Sequence, residues 1–583
     1  MKTLFVIDHL SYAPPKSNKE NFLILKDISF SVQEGEFIAL VGANGSGKTT
    51  LARHLNALLI PTSGNVLVNG INSRNQQFRN QIRAAVGMVF QQPEDQIMAT
   101  IIEEDIAFGP ENLCRLPTVI REQVDEALAV VNLLENRYRQ SHLLSAGQMQ
   151  RVALAGVLAM QPRCIILDEA TAMLDPKGRK DILARMEALN RMGITVIFIT
   201  HFMEEVLLAQ RALLLHQGKL IFDGKPHTLF SDDALLDAGC LEKPAAVRFF
   251  QCFPALFPGI DNPVLERNKL FDSIAPCKVK FSNLSEETYL PKQTNPSEIE
   301  IRDLSHTYMA GTPLAHLSIK NITMEVQKKV PHGLIGATGS GKSTLLQHLN
   351  GLYRPQHGTV RVGPFDLNAA DLDVKSLRRY AGMVFQNPES YFFEQYVGDE
   401  IAFGPRQIFG TQNLREKVKW AMDLVGLDFL TYKDQIVSTL SGGEKRKTAL
   451  AATLAMSPSL LILDEPTAGL DPHSRKNFLK MLSHLQAEGI QMVISSHNME
   501  DIAEAVQNVT VLSEGMSMKT VPVEKIFADP SFLSKTGMES PVAWQLAQAL
   551  RNQGWPISPK SITIQSIIDE TNAAINREND ESI

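Results

Sequence analysis

Cysteine is scarce and scattered. The five (Cys114, Cys164, Cys240, Cys252 and Cys277) form no C-x-x-C pair, which indicates neither a zinc site nor a disulfide framework and fits a reducing, cytoplasmic setting. Long apolar runs are missing too. No uncharged stretch reaches the roughly 18 residues needed to cross a bilayer, so work at a membrane would require a channel supplied by other chains. The opening MKTLFVIDHL is broken by Asp8 and His9; it is too short for a signal-peptide core and reads as a strand. An excess of positive charge is also absent. With 57 Lys and Arg against 64 Asp and Glu, the net charge is -7, which gives no general reason to expect a nucleic-acid binder and leaves only a local basic patch as a route to one.

What is present is ordinary globular composition, 44% hydrophobic and 21% charged over 583 residues, a length that suggests two to four domains. An internal repeat decides the organisation. GANGSGKTT (Gly42 to Thr50) recurs as GATGSGKST (Gly336 to Thr344), Gln91 as Gln386, Ser145 as Ser441, Asp168 as Asp464 and His201 as His497. These matches keep one order and nearly one offset, so the chain is a duplicated domain. Residues 1–240 and 297–530 are the expected domains, 241–296 a C-terminal extension of the first half and linker, rich in Pro, Asn and Ser, and 531–583 a C-terminal extension. In each half, β-branched runs such as FIALVG, CIILDE and TVIFITH alternate with helical segments such as KTTLARHLNALL. That alternation predicts an α/β fold with a largely parallel sheet flanked by helices.

The first chemical motif is a phosphate loop, G-x-x-x-x-G-K-[ST], between a strand and a helix. Gly42, Ala43, Asn44, Gly45, Ser46 and Gly47 form one copy, and Gly336, Ala337, Thr338, Gly339, Ser340 and Gly341 the other. Their backbone N–H groups and the helix N-terminus supply positive potential to phosphates. Lys48 and Lys342 are placed for the β- and γ-phosphates, Thr49 and Ser343 for Mg²⁺, with Thr50 and Thr344 following. A lone match could arise in any glycine-rich loop, but two in matching contexts could not. The second motif is an apolar strand ending in two carboxylates, Asp168-Glu169 and Asp464-Glu465. The aspartates are candidates for the metal, and the glutamates for the base that orients and deprotonates the attacking water. ATP and Mg²⁺ are therefore the expected cofactors.

LSAGQ (Leu144 to Gln148) and LSGGE (Leu440 to Glu444) resemble the signature of the ATP-binding-cassette (ABC) family. Gln91 and Gln386 match that family's Q-loop, Leu174-Asp175 and Leu470-Asp471 its D-loop, and His201 and His497 its switch histidine. The resemblance covers nearly the whole chain. It implies two tandem P-loop ATPase domains, each with a mainly parallel core, an antiparallel β subdomain and a helical signature subdomain. It further implies that Gln91 and Gln386 join the metal ligands, and that His201 and His497 are catalytic with Glu169 and Glu465. Finally, it implies that the halves pair head to tail, each phosphate loop completed by the other half's signature: Ser441, Gly442 and Gly443 for the first site, Ser145 and Gly147 for the second.

Three positions depart from the family pattern: Ala146 for the middle signature glycine, Ala170 for the proline after the catalytic glutamate, and Glu444 for the signature glutamine. None removes a reactive side chain, so both sites are expected to hydrolyse ATP. Tyr308 in LSHTY matches the family's adenine-stacking position, whereas the first half places Pro14 there and Tyr12 two residues early.

FQQPEDQ and FQNPES, EEDIAFGP and DEIAFGP, and the terminal GMESPVAWQLAQAL are similar to the ATPases of energy-coupling factor importers of vitamins and transition-metal ions. That resemblance implies a transmembrane coupling subunit, a membrane-embedded substrate-binding subunit, no nucleic acid, and a peripheral position on the cytoplasmic face of the membrane. It also implies a docking groove after each Q-loop, with Glu104, Asp105, Asp399 and Glu400 available to basic residues; an ordinary solvated acidic helix is the alternative. Sugar-importer ATPases and tandem cassettes acting on ribosomes or DNA are rival readings, but the former usually degrade their second phosphate loop. The latter usually carry charged linker helices, zinc cysteines or coiled-coil inserts that this chain does not show.

Overall fold

The computed structural model describes residues 2–14, 23–141, 144, 146–172, 174–260, 267–277, 296–312 and 315–581. They fall into two compact units, one chiefly of Met1–Val247 together with Asp471–His473, and the other chiefly of Arg267–Leu470 and Ser474–Ile583 together with Arg248–Asp261.

The first unit is built on two sheets. Five of the six strands in its core sheet are parallel, in the order Arg211–His216, Phe37–Val41, Thr195–Ile199, Cys164–Asp168 and Val86–Val89, and Lys219–Gly224 closes one edge antiparallel. Four of the parallel strands are buried at every position, as expected when helices and a second layer cover both faces. That second layer is an antiparallel sheet in the order Leu25–Gln33, Thr3–Tyr12, Ser63–Val68, Ile71–Asn72. Phe5 and Ile7, two apart on Thr3–Tyr12, and Leu10, beyond a register shift, pack against Ile38, Leu40 and Ile166 in one core. A separate helical layer, Ile102–Asn112, Pro117–Val130 and Ala146–Ala159, buries Ile106, Leu128 and Leu154 in the core on the sheet's other face.

The second unit repeats this plan. Its core sheet runs Ala381–Val384, Leu460–Asp464, Gln491–Ser495, His332–Ile335, Asn508–Ser513, Met516–Pro522, beside an antiparallel sheet of Ser297–Tyr308, His316–Gln327, His357–Val362 and Phe365–Asp366. Val397–Phe409, Leu414–Leu424 and Gly442–Leu454 form its helical layer. The unit adds Val542–Asn552 and Ile564–Glu581, against which the 267–277 segment is pinned: Trp555 Nε1 donates to Ala275 O at 2.9 Å, and Cys277 N to Gln553 O at 2.9 Å. Of the expected linker, 278–295 lies outside the described residues. The α/β architecture with tandem cassettes, each divided into a core, an antiparallel subdomain and a helical subdomain, is therefore the fold.

Candidate functional site

Each phosphate loop follows a buried strand and enters a helix, Lys48–Leu55 or Lys342–Leu349. Gly42 (φ 144°) and Gly336 (φ 157°) are required on two counts. Their backbone is left-handed, and a Cβ would lie 2.2 Å from Leu215 O or 2.3 Å from Leu512 O, where no side chain fits. Within the loops, Lys48 Nζ donates to Gly42 O (2.8 Å) and Ala43 O (2.9 Å), and Lys342 Nζ to Gly336 O (2.7 Å) and Ala337 O (3.2 Å). Both lysines are buried, and burial lowers the pKa of Lys48 against the opposing pull of the Glu169 and Asp168 charges. The Ser46 and Ser340 hydroxyls are buried with no hydrogen-bond partner among the described residues. A cation folded onto its own loop beside an unsatisfied buried hydroxyl fits an anionic ligand.

The carboxylate pairs sit at the ends of Cys164–Asp168 and Leu460–Asp464. Thr49 Oγ1 donates to Asp168 Oδ1 at 2.9 Å, joining the hydroxyl and carboxylate expected to share a cation. In the second half Asp464 accepts from Ser343 and, at 2.6 Å, from Ser495 Oγ. Burial pushes Asp168 up to about 6 and also raises Asp464. Among the described residues no cluster of three or more His, Cys, Asp or Glu could hold a metal. The hydroxyl and carboxylate paired in each half, Thr49 with Asp168 and Ser343 with Asp464, are hard oxygen donors of the kind that suit a cation completing its shell with waters and substrate phosphates, as Mg²⁺ does. Bound there, Mg²⁺ neutralises charge on the transferred phosphoryl group.

Glu169 and Glu465 have left-handed backbone, with φ of 51° and 48°. This costs on the order of 1–3 kcal/mol for a non-glycine residue and persists only where surroundings enforce it. Here the neighbouring strand does so: Glu169 N donates to Ile199 O (3.2 Å), and Glu465 N to Ser495 O (3.2 Å) and Oγ (3.0 Å). His201 Nε2 lies 2.7 Å from Glu169 Oε1, and Gln91 Nε2 donates to Glu169 Oε2 at 2.7 Å. His497 instead presents Nδ1, 2.8 Å from Glu465 Oε2, while Lys342 Nζ stands 3.8 Å from Oε1. Burial pushes both glutamates up, but the histidine contacts and the loop lysines outweigh it. Glu169 stays below the usual carboxylate range and Glu465 falls to about 2. Each glutamate is therefore ionised, as a base must be, and is tied to the switch histidine.

The structure thus brings Thr49, Asp168, Glu169, Gln91 and His201 together in one half, and Lys342, Ser343, Asp464, Glu465 and His497 in the other. Ser145 lies outside the described residues. Ser441 caps Gly442–Leu454 in a capping box with Glu444, whose Oε2 accepts from Ser441 N (2.8 Å) and Oγ (2.7 Å). Glu444 therefore does the hydrogen-bonding work of a signature glutamine. A Cβ built at Gly442, the position Ala146 holds in the first half's sequence, meets nothing within 4 Å. Gly443, like Gly147, approaches only a D-loop leucine side chain. Tyr308 reaches the second phosphate-loop helix, its hydroxyl 3.0 Å from Thr344 Oγ1. Tyr12 is buried with its ring edge-on to His54, 4.7 Å between centroids, and is a core residue.

Two corrections and one addition follow. Glu400 is buried and not available to a partner, and Asp105 is half-buried with one carboxylate oxygen engaged. Asp105 Oδ1 accepts from Met98 N and Ala99 N at 2.7 and 2.9 Å, and Glu400 Oε2 from Phe393 N and Glu394 N at 2.9 and 2.8 Å; each carboxylate caps its own loop. Glu104 and Asp399 remain exposed. In the AFGP segments, Gly109 and Gly404 serve packing, since a Cβ would meet Met160 at 2.8 Å or Met456 at 2.9 Å. The addition is Arg446, which looks in sequence like one member of a basic run. Its Nη1 donates to Pro466 O (2.7 Å) and Glu465 O (3.4 Å), and its Nη2 to Gln386 O (3.4 Å). The guanidinium joins the signature helix, catalytic turn and Q-loop; the first half has Gln150 there.

One consequence concerns pH. The Asp168 carboxyl, raised to about 6, is neutral below that pH and charged above it, and only the charged form ligates a cation. Metal-dependent nucleotide binding by the first half should weaken as pH falls through about 6, and more Mg²⁺ should move the midpoint to lower pH by displacing the proton. Fluorescent-nucleotide titrations of a Lys342→Ala chain at low and high magnesium check this. A midpoint indifferent to magnesium contradicts it.

Comparison with known proteins accords with this site. The ABC transporter family model matches residues 25–172 and 319–468. A Methanosarcina mazei protein named as an ABC transporter ATP-binding protein is 30% identical over 580 residues, covering 96% of each chain. One of the same description from Caldanaerobacter subterraneus is 32% identical over 548 residues, 90% of this chain and 93% of the relative. Among solved structures, cbiO1 from Clostridium perfringens, part of the ABC transporter complex cbiONQ, is 30% identical over 41% of this chain and 94% of its own, with a TM-score of 0.36. With both domains matched and relatives aligned over nearly their whole length, the chain belongs to the ATP-binding proteins of ABC transporters and is a MgATP-dependent ATPase.

Proposed function

We propose that this tandem ATPase powers import of a micronutrient, a vitamin or transition-metal ion, through separate membrane subunits of an energy-coupling factor transporter. No helix among the described residues is long and apolar enough to cross a membrane, so the reading places the chain peripherally on the cytoplasmic face of the membrane, against a transmembrane coupling subunit and a membrane-embedded substrate-binding subunit.

The observation that carries this reading is an exposed apolar cluster beside the second Q-loop. Phe393 is 78% exposed and stacks on Phe403, itself 38% exposed, with centroids 5.7 Å apart. Phe108, the counterpart of Phe403, is 48% exposed, and Met98 is 73% exposed. Large apolar side chains grouped in this way mark interaction surfaces, and here Phe108 and Phe403 each lie one helical turn past an exposed acid, Glu104 or Asp399. Such a surface suits a short amphipathic helix carrying basic residues.

In this reading both halves hydrolyse ATP. Each nucleotide is held by one phosphate loop and the other half's signature: Ser441, Gly442 and Gly443 for the first site, Ser145 and Gly147 for the second. Covalent fusion raises the local concentration of each half for the other to roughly millimolar if the linker spans the gap. Nucleotide must favour the closed pair by about 5.5 kcal/mol to swing it from almost always open to almost always closed.

Two measurements test this. Steady-state ATPase assays should show that Glu169→Gln and Glu465→Gln each lower turnover at least about twofold and together about a hundredfold or more; a single substitution without effect contradicts two active sites. Reversing the exposed acids, Glu104→Lys with Asp399→Lys, should abolish solute uptake and copurification of membrane subunits while leaving detergent-free ATPase activity within about twofold. Uptake that survives the reversal overturns the docking assignment.

A further inference from the structure

Behind each catalytic pair lies a buried acid that the hydrolytic chemistry does not use. Glu205 is 3% exposed and Asp501 2%, four residues past His201 and His497 respectively. Glu205 Oε2 accepts from Thr200 Oγ1 at 2.5 Å and from Thr171 Oγ1 at 3.1 Å. Thr200 immediately precedes the switch histidine, and Thr171 stands two residues past the catalytic glutamate. One carboxylate oxygen therefore bridges the flanks of the two residues that form the His201–Glu169 contact.

Its other oxygen faces a third element. Arg179 Nε lies 3.8 Å from Glu205 Oε1, and the Arg179 guanidinium sits 3.5 Å over the ring of Phe202, the residue after the switch histidine. Arg179 belongs to the first turn of Pro176–Arg191, the helix that D-loop Asp175 caps through Gly178 N at 2.8 Å. The second half repeats the arrangement with a shorter acid. Asp501 accepts from Thr467, two residues past Glu465, and pairs with Arg475 Nε, which occupies the place of Arg179. Ser496, the counterpart of Thr200, turns its hydroxyl to Asn498 O instead, at 3.4 Å. Asp501 is thus anchored to the D-loop helix, and Glu205 more closely to the switch strand.

A buried carboxylate needs partners, because an unpaired one costs several kcal/mol. These acids find theirs only while three segments keep their registration: the turn after the catalytic glutamate, the switch loop, and the helix behind the D-loop. We propose that Glu205 and Asp501 are positioning residues for ATP hydrolysis, locking those three segments into one body so that the histidine–glutamate contact is set by the position of the D-loop helix. Glu205 acts through Thr171, Thr200 and Arg179, and Asp501 through Thr467 and Arg475.

The test uses the full chain carrying Glu205→Gln with Asp501→Asn, which preserves shape and removes charge. Turnover should fall at least about tenfold while the KM for ATP stays within about twofold. Keeping the charge with altered reach, Glu205→Asp with Asp501→Glu, should recover a third or more of that loss. Thr171→Val with Thr467→Val, which leaves the acids in place, should reproduce the fall and guards against a first variant that does not fold. In a His201→Ala/His497→Ala background the acid substitutions should cost less than about twofold more, because the contact they position is already gone. Unchanged turnover in the folded variants, or a full multiplicative loss in the histidine-free background, overturns the proposal.

Discussion

A glutamate held in left-handed backbone at the end of a buried parallel strand is the constraint on which the rest depends. In a regular strand successive side chains leave on opposite faces, so Asp168 and Glu169 could not serve one phosphate. The positive φ of Glu169 and Glu465 breaks that alternation. It lets the aspartate meet the hydroxyl of the phosphate-loop helix while the glutamate meets the switch histidine. The strain is sustained by the adjacent strand, whose Ile199 or Ser495 carbonyl takes the glutamate N–H. The strand that fixes the base thus also delivers the histidine, two residues further on.

The two halves share this frame and differ in its wiring. In the first, both Glu169 oxygens are occupied, by His201 and by Gln91, so the Q-loop and the switch loop hold the base together. In the second, His497 turns its other ring nitrogen to Glu465, Lys342 stands nearby, and Arg446 ties the signature helix to the catalytic turn. Glu205 and Asp501 differ in length and in the partner each favours. Substitutions have accumulated in the residues that connect the reactive groups, and the reactive groups themselves are matched one for one. Two sites with the same kinds of reactive residue but unequal linkage between them are the natural product of such a duplication.

Much of this was legible in the amino-acid sequence because it is local. A phosphate loop, a carboxylate pair and a signature are each short runs whose order is enough, and the repeat made every one of them count twice. What required coordinates was burial and direction. The acids after the Q-loop read alike, yet Asp105 and the buried Glu400 each cap a loop while Glu104 and Asp399 face solvent. Arg446 disappears among Lys445 and Lys447 until its guanidinium is seen on three backbone carbonyls. Tyr12, two residues from a stacking position, is a core ring against His54. Glu205 and Asp501 carry no motif of their own; only the hydroxyls that converge on them reveal a role. The packing of Ala275 and Cys277 onto Gln553 and Trp555 joins residues more than 270 positions apart, which no local pattern encodes.

The central claim, that triphosphate captured by each phosphate loop is completed by the opposite half's signature turn, is tested most directly by the crystal structure of the Glu169→Gln/Glu465→Gln chain with MgATP. The account predicts two nucleotides, one γ-phosphate beside Lys48 and Ser441 and the other beside Lys342 and Ser145. Nucleotides enclosed by a loop and signature of the same half, or halves that remain apart with nucleotide bound, would contradict it.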